Sequence, residues 1–268
     1  MIYRGTSYEV PRIADARVTS CPRKINVYVV EEADKLLFIT PKGRKCERKC
    51  PMMTVVQCWD DGVTADVRLI EIFRRHRAKA TFNLNAGLHE SKRKQVWKFQ
   101  DTEVWKLGWD EMKAVYDGFL IANHSLTHPH LEQIPIETAR QNISEGRDRL
   151  QQFFGQAVRG FAYPFGSYNE AVMAAIQETG HVYARTTRNV EQPYPPEHPM
   201  AFHPCCHFLA PDLWSRYEIA RPGGVFYFWG HSYELITEAL WVEFEKVIAR
   251  ISSDPESRWG NVADLFVP

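Results

Sequence analysis

The pattern of apolar and polar positions divides the chain at about residue 52. After that point, short apolar runs alternate with stretches whose apolar residues recur at helical spacing. The runs predict strands over 53–58, 78–85, 119–123, 158–163, 181–187 and 223–229, and helices over 67–74, 110–116, 136–154, 170–179 and 236–251. Polar stretches at 91–101 and 192–199 are predicted to be surface loops. Because strands and helices alternate, an α/β fold with a parallel sheet or barrel is expected.

Residues 1–52 predict a small β-rich N-terminal extension to a main domain at 53–268. The segments 24–31 and 35–40 alternate in strand fashion and are joined by Glu-Ala-Asp, which favours a hairpin. The basic stretch that follows reads as a loop. Cys46 and Cys50 are expected there as reduced thiols, because no second cysteine pair of matching spacing completes a zinc site.

Composition and charge narrow the range of partners. The chain has 268 residues, 44% of them hydrophobic, and its 33 Lys and Arg balance 33 Asp and Glu. The formal net charge is therefore zero, so it favours neither nucleic acid nor an anionic membrane as a partner. No apolar run approaches the roughly 18 residues of a membrane span. The N-terminus lacks the pattern of a signal peptide, so the expectation is a cytoplasmic protein, or a secreted one if a leader has been removed.

Chemistry-bearing side chains stand at the ends of two predicted strands. Asp60 and Asp61 follow the first strand and could take different roles, one on a metal ion and one as a base, although a helix-capping turn is the simpler interpretation of the pair alone. His124 and His128 follow the third strand, four residues apart, and can reach one ion. An Asp with two His is a three-ligand set with room for water, as in catalytic zinc sites.

Four motifs in sequence together resemble the polysaccharide deacetylases, carbohydrate esterase family 4, also called NodB-like domains. The similarity extends from about Met53 to about Ile251. It implies a distorted (β/α) barrel with about seven strands, and an enzyme that removes acetyl groups from N-acetylated sugars. The motifs are Trp59-Asp60-Asp61-Gly62, His124-Ser125-Leu126-Thr127-His128, Ala162-Tyr163-Pro164-Phe165-Gly166 and Phe226-Tyr227-Phe228-Trp229-Gly230-His231.

The resemblance implies a role for each of the ligand residues and for the base. Asp61, His124 and His128 would bind one divalent metal ion, with zinc expected first and cobalt, nickel or iron left open. The ion would activate a water molecule and polarise the amide carbonyl. Asp60 would be the general base that takes the proton of that water.

The remaining motif residues would complete the reaction and hold the substrate. His231 would protonate the leaving amine, and the backbone N–H of Phe165 would hold the oxyanion together with the metal. Side chains implied to contact the acetyl group or the sugar are those of Trp59, Tyr163, Pro164 and Trp229.

The sequence departs from the family pattern beside the base. Ala162 stands where the family has an arginine that would orient Asp60 and keep it ionised. Arg185 is the preferred replacement because it lies near a predicted strand end; Arg159 and Arg188 are the alternatives.

A second departure concerns the acid. No counterpart of the aspartate that orients the acidic histidine is evident, and Glu234 or Asp212 could replace it. The segment His203-Pro204-Cys205-Cys206-His207 could supply further metal ligands or a lid, but a loop packed on the barrel rim is the preferred interpretation.

Two other functions remain open at this stage. One is an amidohydrolase acting on a small cyclic imide or ureide, which would need a closed apolar pocket rather than an open groove. The other is a catalytically impaired, carbohydrate-binding barrel that stacks sugars on Trp59, Trp109 and Trp214. For a cytoplasmic deacetylase, a precursor of a surface polysaccharide is the expected substrate. The oligomeric state stays open.

Overall fold

The computed structural model describes residues 28–32, 35–39, 45–46, 52–221 and 223–266. The chain divides into two compact units, Met1–Lys49 and Cys50–Pro268. The first unit contains a sheet of three antiparallel strands, β1 (Tyr28–Glu32), β2 (Lys35–Ile39) and β3 (Lys45–Cys46). Strands β1 and β2 pair as the predicted hairpin does, whereas β3 lies where a loop was predicted. Ala33, Asp34 and Cys50 lie outside the described residues.

The second unit begins with strand β4 and contains ten strands and six helices among its described residues. The strands are β4 (Met53–Asp60), β5 (Thr81–Leu84), β6 (Lys94–Phe99), β7 (Thr102–Lys106), β8 (Leu120–Asn123), β9 (Gly160–Ala162), β10 (Tyr183–Arg185), β11 (Cys206–His207), β12 (Val225–Gly230) and β13 (Ser257–Trp259). The helices are α1 (Asp66–His76), α2 (Trp109–Val115), α3 (Ile136–Phe154), α4 (Glu170–Glu178), α5 (Leu213–Ile219) and α6 (Glu238–Ser253).

The main sheet is parallel and curls into an open barrel. Seven strands follow one another in the order β10-β9-β8-β5-β4-β12-β11, and β13 pairs separately with β4. The predicted fold class, a distorted (β/α) barrel of about seven strands, is therefore confirmed. Strand β4 is the fifth of these seven strands and is almost entirely buried, which fits its continuous apolar sequence.

Local sequence signals explain where the helices begin and end. Helix α3 spans the residues predicted for it and ends at Gly155, whose φ of +69° is readily adopted by a residue without a side chain. At the start of α4, the Asn169 side chain accepts a hydrogen bond from the Val172 N–H at 2.9 Å. Among the residues that the structure describes, no helix is both long and apolar enough to cross a membrane.

Residues 94–106 form a hairpin, whereas a surface loop was predicted over 91–101. Strands β6 and β7 pair with each other and join no other sheet. The end of β7 is held to the loop after β4, because Thr64 N–H donates to Trp105 O at 2.8 Å and Leu107 N–H donates to Gly62 O at 3.0 Å. The hairpin is therefore fixed beside the residues that follow Asp60 and Asp61. Strands β11 and β13 and helix α5 also had no sequence prediction.

Candidate active site

Asp61, His124 and His128 lie together at the carboxyl ends of β4 and β8. One ligand atom from each of these side chains lies within 4.8 Å of the others. Asp61 and His124 are buried and His128 is half-buried, so the group is shielded but open on one side. The three residues singled out in the sequence as metal ligands are thus brought within reach of a single ion.

The protonation of the histidines suits a metal site. His124 Nδ1 lies 2.8 Å from the carbonyl oxygen of Ala162. Because a carbonyl only accepts hydrogen bonds, Nδ1 must carry the proton and Nε2 keeps a free lone pair. Burial lowers the pKa of His128 to about 4, with a further contribution from neighbouring His124. Burial also lowers the pKa of His124, so both imidazoles favour the neutral form that metal ligation requires.

The loops that carry these side chains adopt unusual backbone conformations. Asp61, Ser125, His128 and Phe165 all have positive φ, at 83°, 63°, 57° and 59°. For residues other than glycine such values cost free energy and tend to cluster at functional sites. The histidine loop is held in part by Asn142 of α3, whose Oδ1 accepts from the Leu126 N–H at 2.9 Å and the Thr127 N–H at 3.1 Å.

Asp60 is a buried carboxylate held by an amide and a guanidinium. Its Oδ1 accepts from Asn83 Nδ2 at 2.6 Å, and its Oδ2 accepts from Arg185 at the end of β10. Burial alone would raise the pKa of Asp60, but Arg185, with His124 and His231, more than offsets it and lowers that pKa. Arg185 thus occupies the place that Ala162 leaves without an arginine.

Asp61 has its own buried cation, Lys106, which the sequence did not point to. Lys106 is 1% exposed and ends strand β7. Its Nζ donates to the backbone oxygen of Asp61, lies 3.5 Å from Asp61 Oδ1, and donates to Asn85 Oδ1 at 3.1 Å. Burial would raise the pKa of Asp61, but Lys106 outweighs this effect and lowers it.

His231 lies between Asp60 and a second carboxylate, Glu234. Its Nε2 is 3.8 Å from Asp60 Oδ2, and its Nδ1 is 3.4 Å from Glu234 Oε2. The His231 backbone N–H also donates to Glu234 Oε2 at 3.2 Å. Burial would lower the pKa of His231, but Glu234 and Asp60 raise it overall. Two residues were predicted to replace the family's histidine-orienting aspartate. Glu234 contacts His231, whereas Asp212 pairs with Arg216 at 2.7 Å.

His207 completes this arrangement from strand β11. Its Nε2 lies 2.9 Å from Glu234 Oε2, while its Nδ1 accepts from the Leu209 N–H at 3.3 Å. Burial raises the pKa of Glu234, but the adjacent His207 and His231 lower it to about 2. His207, His231 and Glu234 also have ligand atoms within 4.8 Å of one another. Because His207 Nδ1 accepts a hydrogen bond, the proton of the neutral ring is on Nε2. A metal ion on Nε2 would displace that proton and leave the ring with none. We therefore interpret the group as a polar network around Glu234 and not as a second metal site.

The segment before His207 packs against the barrel. Cys205 and Cys206 are buried, and the Cys205 N–H donates to Tyr227 O at 2.7 Å. His203 Nδ1 makes a hydrogen bond with the hydroxyl of Thr186. Of this histidine- and cysteine-rich segment, His207 alone has its ring at the Glu234 carboxylate.

Phe165 lies directly beside His128 and His130. Its ring is 4.5 Å from that of His128 and stacks on His130 at 3.8 Å with an angle of 11°. Phe165 is 56% exposed and follows the buried Pro164 in a short 3-10 turn. The motif therefore presents an open aromatic face, as well as its backbone, next to the three-ligand group.

The structure overturns three of the predicted substrate contacts. Trp59 is fully buried, with its ring 5.0 Å from that of Phe208 and 5.2 Å from that of Phe244. Successive side chains of a strand point to opposite faces, so Trp59 must face the helices if Asp60 faces the site. Tyr163 is 1% exposed, and its hydroxyl donates to Met200 O at 2.7 Å. Pro164 is buried as well, so none of the three offers a surface to a sugar.

Trp229, the fourth predicted contact, does lie at the site. Its ring is 4.9 Å from that of His207 and 5.4 Å from that of His231. The guanidinium carbon of Arg185 lies 4.6 Å from the centre of the same ring. Trp229 is only partly buried, so it can still meet a ligand while it supports Arg185.

Comparison with known proteins identifies the class to which this site belongs. The family model described as polysaccharide deacetylase matches residues 47–184. The chain belongs to the polysaccharide deacetylase family. The match includes Asp60, Asp61, His124 and His128, but ends before Arg185 and His231.

Two proteins of Bacillus subtilis (strain 168) are similar in sequence. The uncharacterised protein YlxY is 26% identical over 117 residues, which is 43% of this chain and 32% of that protein. YxkH, a candidate polysaccharide deacetylase, is 24% identical over 149 residues, or 54% of this chain and 47% of that protein. The chain thus spans less than half the length of these two relatives.

Solved structures share the fold at low sequence identity. The carbohydrate esterase family 4 domain of a multidomain xylanase from the hindgut metagenome of Trinervitermes trinervoides has a TM-score of 0.54 at 15% identity, covering 80% of this chain and 90% of that one. A family 4 carbohydrate esterase from Streptomyces lividans, in complex with acetate, has a TM-score of 0.52 at 16% identity, covering 79% of this chain and 93% of that one. BA3943, a pseudoenzyme of this family from Bacillus anthracis, has a TM-score of 0.53 at 16% identity, covering 82% of this chain and 66% of that one. The fold therefore occurs in both esterases and a pseudoenzyme.

Proposed function

We propose that the protein is a metal-dependent hydrolase that removes the acetyl group from an N-acetylated amino sugar of a polysaccharide or its precursor. The observation that carries the proposal is the meeting of two groups at one end of the sheet. Asp61, His124 and His128 lie within 4.8 Å of one another, and Asp60 beside them lies 3.8 Å from His231. A cation site thus adjoins a carboxylate and an imidazole that can exchange protons with a substrate.

The donor set fits a divalent cation such as zinc. Two neutral imidazoles and one carboxylate are ligands that zinc uses in catalytic sites, and cobalt, nickel and iron accept the same set. His124 donates its Nδ1 proton to a carbonyl, as metal-bound histidines commonly do. When bound, the cation would supply Lewis-acid activation of the amide carbonyl and of water.

The side chains around this group divide the proton transfers between them. The oxygen of a water molecule adds to the amide carbon while Asp60 takes a proton from that water. His231 then gives a proton to the amide nitrogen as the C–N bond breaks. The products are acetate and a free amine. Arg185 keeps the Asp60 carboxylate ionised and oriented, and the Phe165 N–H would donate to the oxyanion. Trp229 would line the acetyl or sugar side.

The binding-only and cyclic-imide alternatives gain no support from the site. An uncompensated Asp60 would have favoured an impaired barrel, but its carboxylate meets Arg185. The candidate ligand atoms of Asp61 and the two histidines also lie within 4.8 Å of one another, which supports a metal-dependent reaction over binding alone. We therefore carry deacetylation forward as the single proposal, with a polymeric or precursor N-acetyl sugar as the substrate class.

The test pairs metal analysis with acetate release from a panel of N-acetylated mono- and oligosaccharides. We expect one bound divalent ion per chain, acetate release that a chelator abolishes and added zinc or cobalt restores, and loss of both ion and activity in His124→Ala. His130→Ala, which changes a neighbouring histidine outside the ligand group, should retain the ion. Undiminished acetate release from metal-free protein, or hydrolysis of cyclic imides alone, would contradict the proposal.

A further inference from the structure

Lys106 is buried beside the candidate cation site but has no part in the proposed reaction. A lysine is rarely buried without a partner, and this one is 1% exposed at the edge of a candidate cation site. Its ammonium group lies 3.5 Å from Asp61 Oδ1, donates to the Asp61 backbone oxygen and to Asn85 Oδ1, and lies 5.4 Å from the centre of the Trp97 ring. Burial lowers the pKa of Lys106 and Asp61 opposes this effect. Three acceptor oxygens face Nζ, as many as an ammonium group has protons, so the geometry fits a positive charge beside the carboxylate that would receive a metal ion.

The fold places Lys106 there through the β6–β7 hairpin. Val63 and Lys106 form a β-bridge, and the neighbouring Leu107 N–H donates to Gly62 O at 3.0 Å. The lysine is thus tied by backbone to the residues directly after Asp61. Asn85 connects it to the other ligand loop, since Asn85 Nδ2 donates to the His124 carbonyl oxygen at 2.6 Å. Both ligand loops are consequently in contact with one small polar network.

We propose that Lys106 is the internal counter-ion of Asp61. In metal-free protein its ammonium group balances and orients the Asp61 carboxylate, which would otherwise be a buried charge without a partner. A cation bound by Asp61, His124 and His128 then faces a fixed positive charge at close range, so Lys106 weakens the affinity and keeps the ion exchangeable. The inference rests on the proposed role of Asp61 as a metal ligand.

The charges at the site predict whether removal of Lys106 strengthens or weakens metal binding. Removing the lysine leaves the metal-free state with an uncompensated carboxylate and removes repulsion from the metal-bound state. Both changes favour the metal-bound form. A lysine that only anchored the hairpin would have the opposite effect, because a looser Asp61 would bind the ion less well.

The experiment measures zinc affinity by chelator competition on the whole protein. Lys106→Met is expected to tighten zinc binding at least about tenfold, and Lys106→Gln, which retains an N–H donor, to tighten it as well. Lys98→Met removes an exposed lysine of the same hairpin and should leave the affinity unchanged. Equal or weaker binding by Lys106→Met would overturn the proposal. Absence of zinc binding by the unmodified protein would instead overturn the proposed function.

A double-mutant cycle in metal-free protein keeps the proposal testable if the single variant is unstable. Lys106→Met should lower the denaturation midpoint of the wild-type protein, but should have little effect or raise it in an Asp61→Asn background, where no charge remains to be balanced. A double variant that folds when Lys106→Met does not supports the pair. Equal destabilisation in both backgrounds would overturn it.

Discussion

The neighbouring carboxylates Asp60 and Asp61 each have a buried cationic partner, but the partners come from different parts of the fold. Asp60 meets Arg185 at the end of a strand of the main sheet, whereas Asp61 meets Lys106 on the separate β6–β7 hairpin. In both cases burial opposes ionisation and the cation reverses its effect, so that the two pKa values are lowered. The two carboxylates are thus held ionised independently, which is what the separate roles proposed for them, proton transfer and metal binding, require.

Asp66 shows what happens to a carboxylate in this region when its hydrogen-bond partners are hydroxyls. It is fully buried, accepts from Tyr116 Oη at 2.6 Å and accepts from the hydroxyl of Ser232. Burial dominates here and raises the pKa of Asp66 to about 7. Hydrogen bonds from two hydroxyl groups therefore do not keep Asp66 ionised, whereas Arg185 and Lys106 do so for Asp60 and Asp61.

The largest effects are expected from neutralising the two carboxylates separately. Asp60→Asn should keep the bound ion and lose about 1000-fold in kcat, because general-base catalysis commonly contributes 100- to 10,000-fold. Asp61→Asn should lose the ion and, with it, the activity. Metal content and the rate of acetate release, measured side by side, check both outcomes. Loss of the ion from Asp60→Asn would show that the roles are not divided in this way.

A smaller effect is expected for stability as a function of pH, through Asp66. Its pKa is about 7 in the folded protein and 3.8 as a reference value, so its contribution is fully present below about pH 4 and is lost as pH rises through about 7. A difference of this size corresponds to as much as about 4 kcal/mol. Urea unfolding of wild type and Asp66→Asn between pH 4 and pH 8 measures it. Parallel stability curves for the two proteins would contradict the assignment.

The smallest effect is expected at Glu234, which acts through His231. Glu234→Gln should lower kcat about tenfold with little change in KM. It should also move the alkaline decline of kcat to lower pH, because burial lowers the pKa of His231 and the carboxylate that counteracts this is gone. Asp212→Asn, whose side chain pairs with Arg216 at the surface, is the matched control and should have neither effect. An unchanged pH profile in Glu234→Gln would leave the glutamate without this role.

Sequence patterns predicted the candidate site residues at the strand ends better than the buried side chains that hold them. The strand ends that carry Asp60, Asp61, His124 and His128 were predictable because apolar runs stop there, and the bounds of α3 followed from its helical period. The choice of Arg185 rested on its position near a strand end, and the structure places it at Asp60. The burial of Trp59 could also have been deduced, since strand alternation separates it from Asp60.

Other features had no comparable signal. The segment 94–106 is rich in lysine, so its strand alternation was hidden by polarity that favours a loop, and the hairpin was missed. Lys106 then looked like one more surface lysine, because burial of a charge depends on partners that are distant in sequence. Asn83 and Asn85 were missed for the same reason, since their contacts cross to neighbouring strands and loops.

The contact between Arg185 and Asp60 depends on the curvature of the sheet. In the strand order, β10 and β4 are separated by three other strands, which would put them about 19 Å apart if the sheet were flat. An arginine side chain cannot bridge such a gap, so the contact exists only because the sheet rolls its strand ends towards a common centre. The curvature therefore lets Arg185, at the end of β10, bring a guanidinium to Asp60. Ala162, at the end of the neighbouring strand β9, carries none.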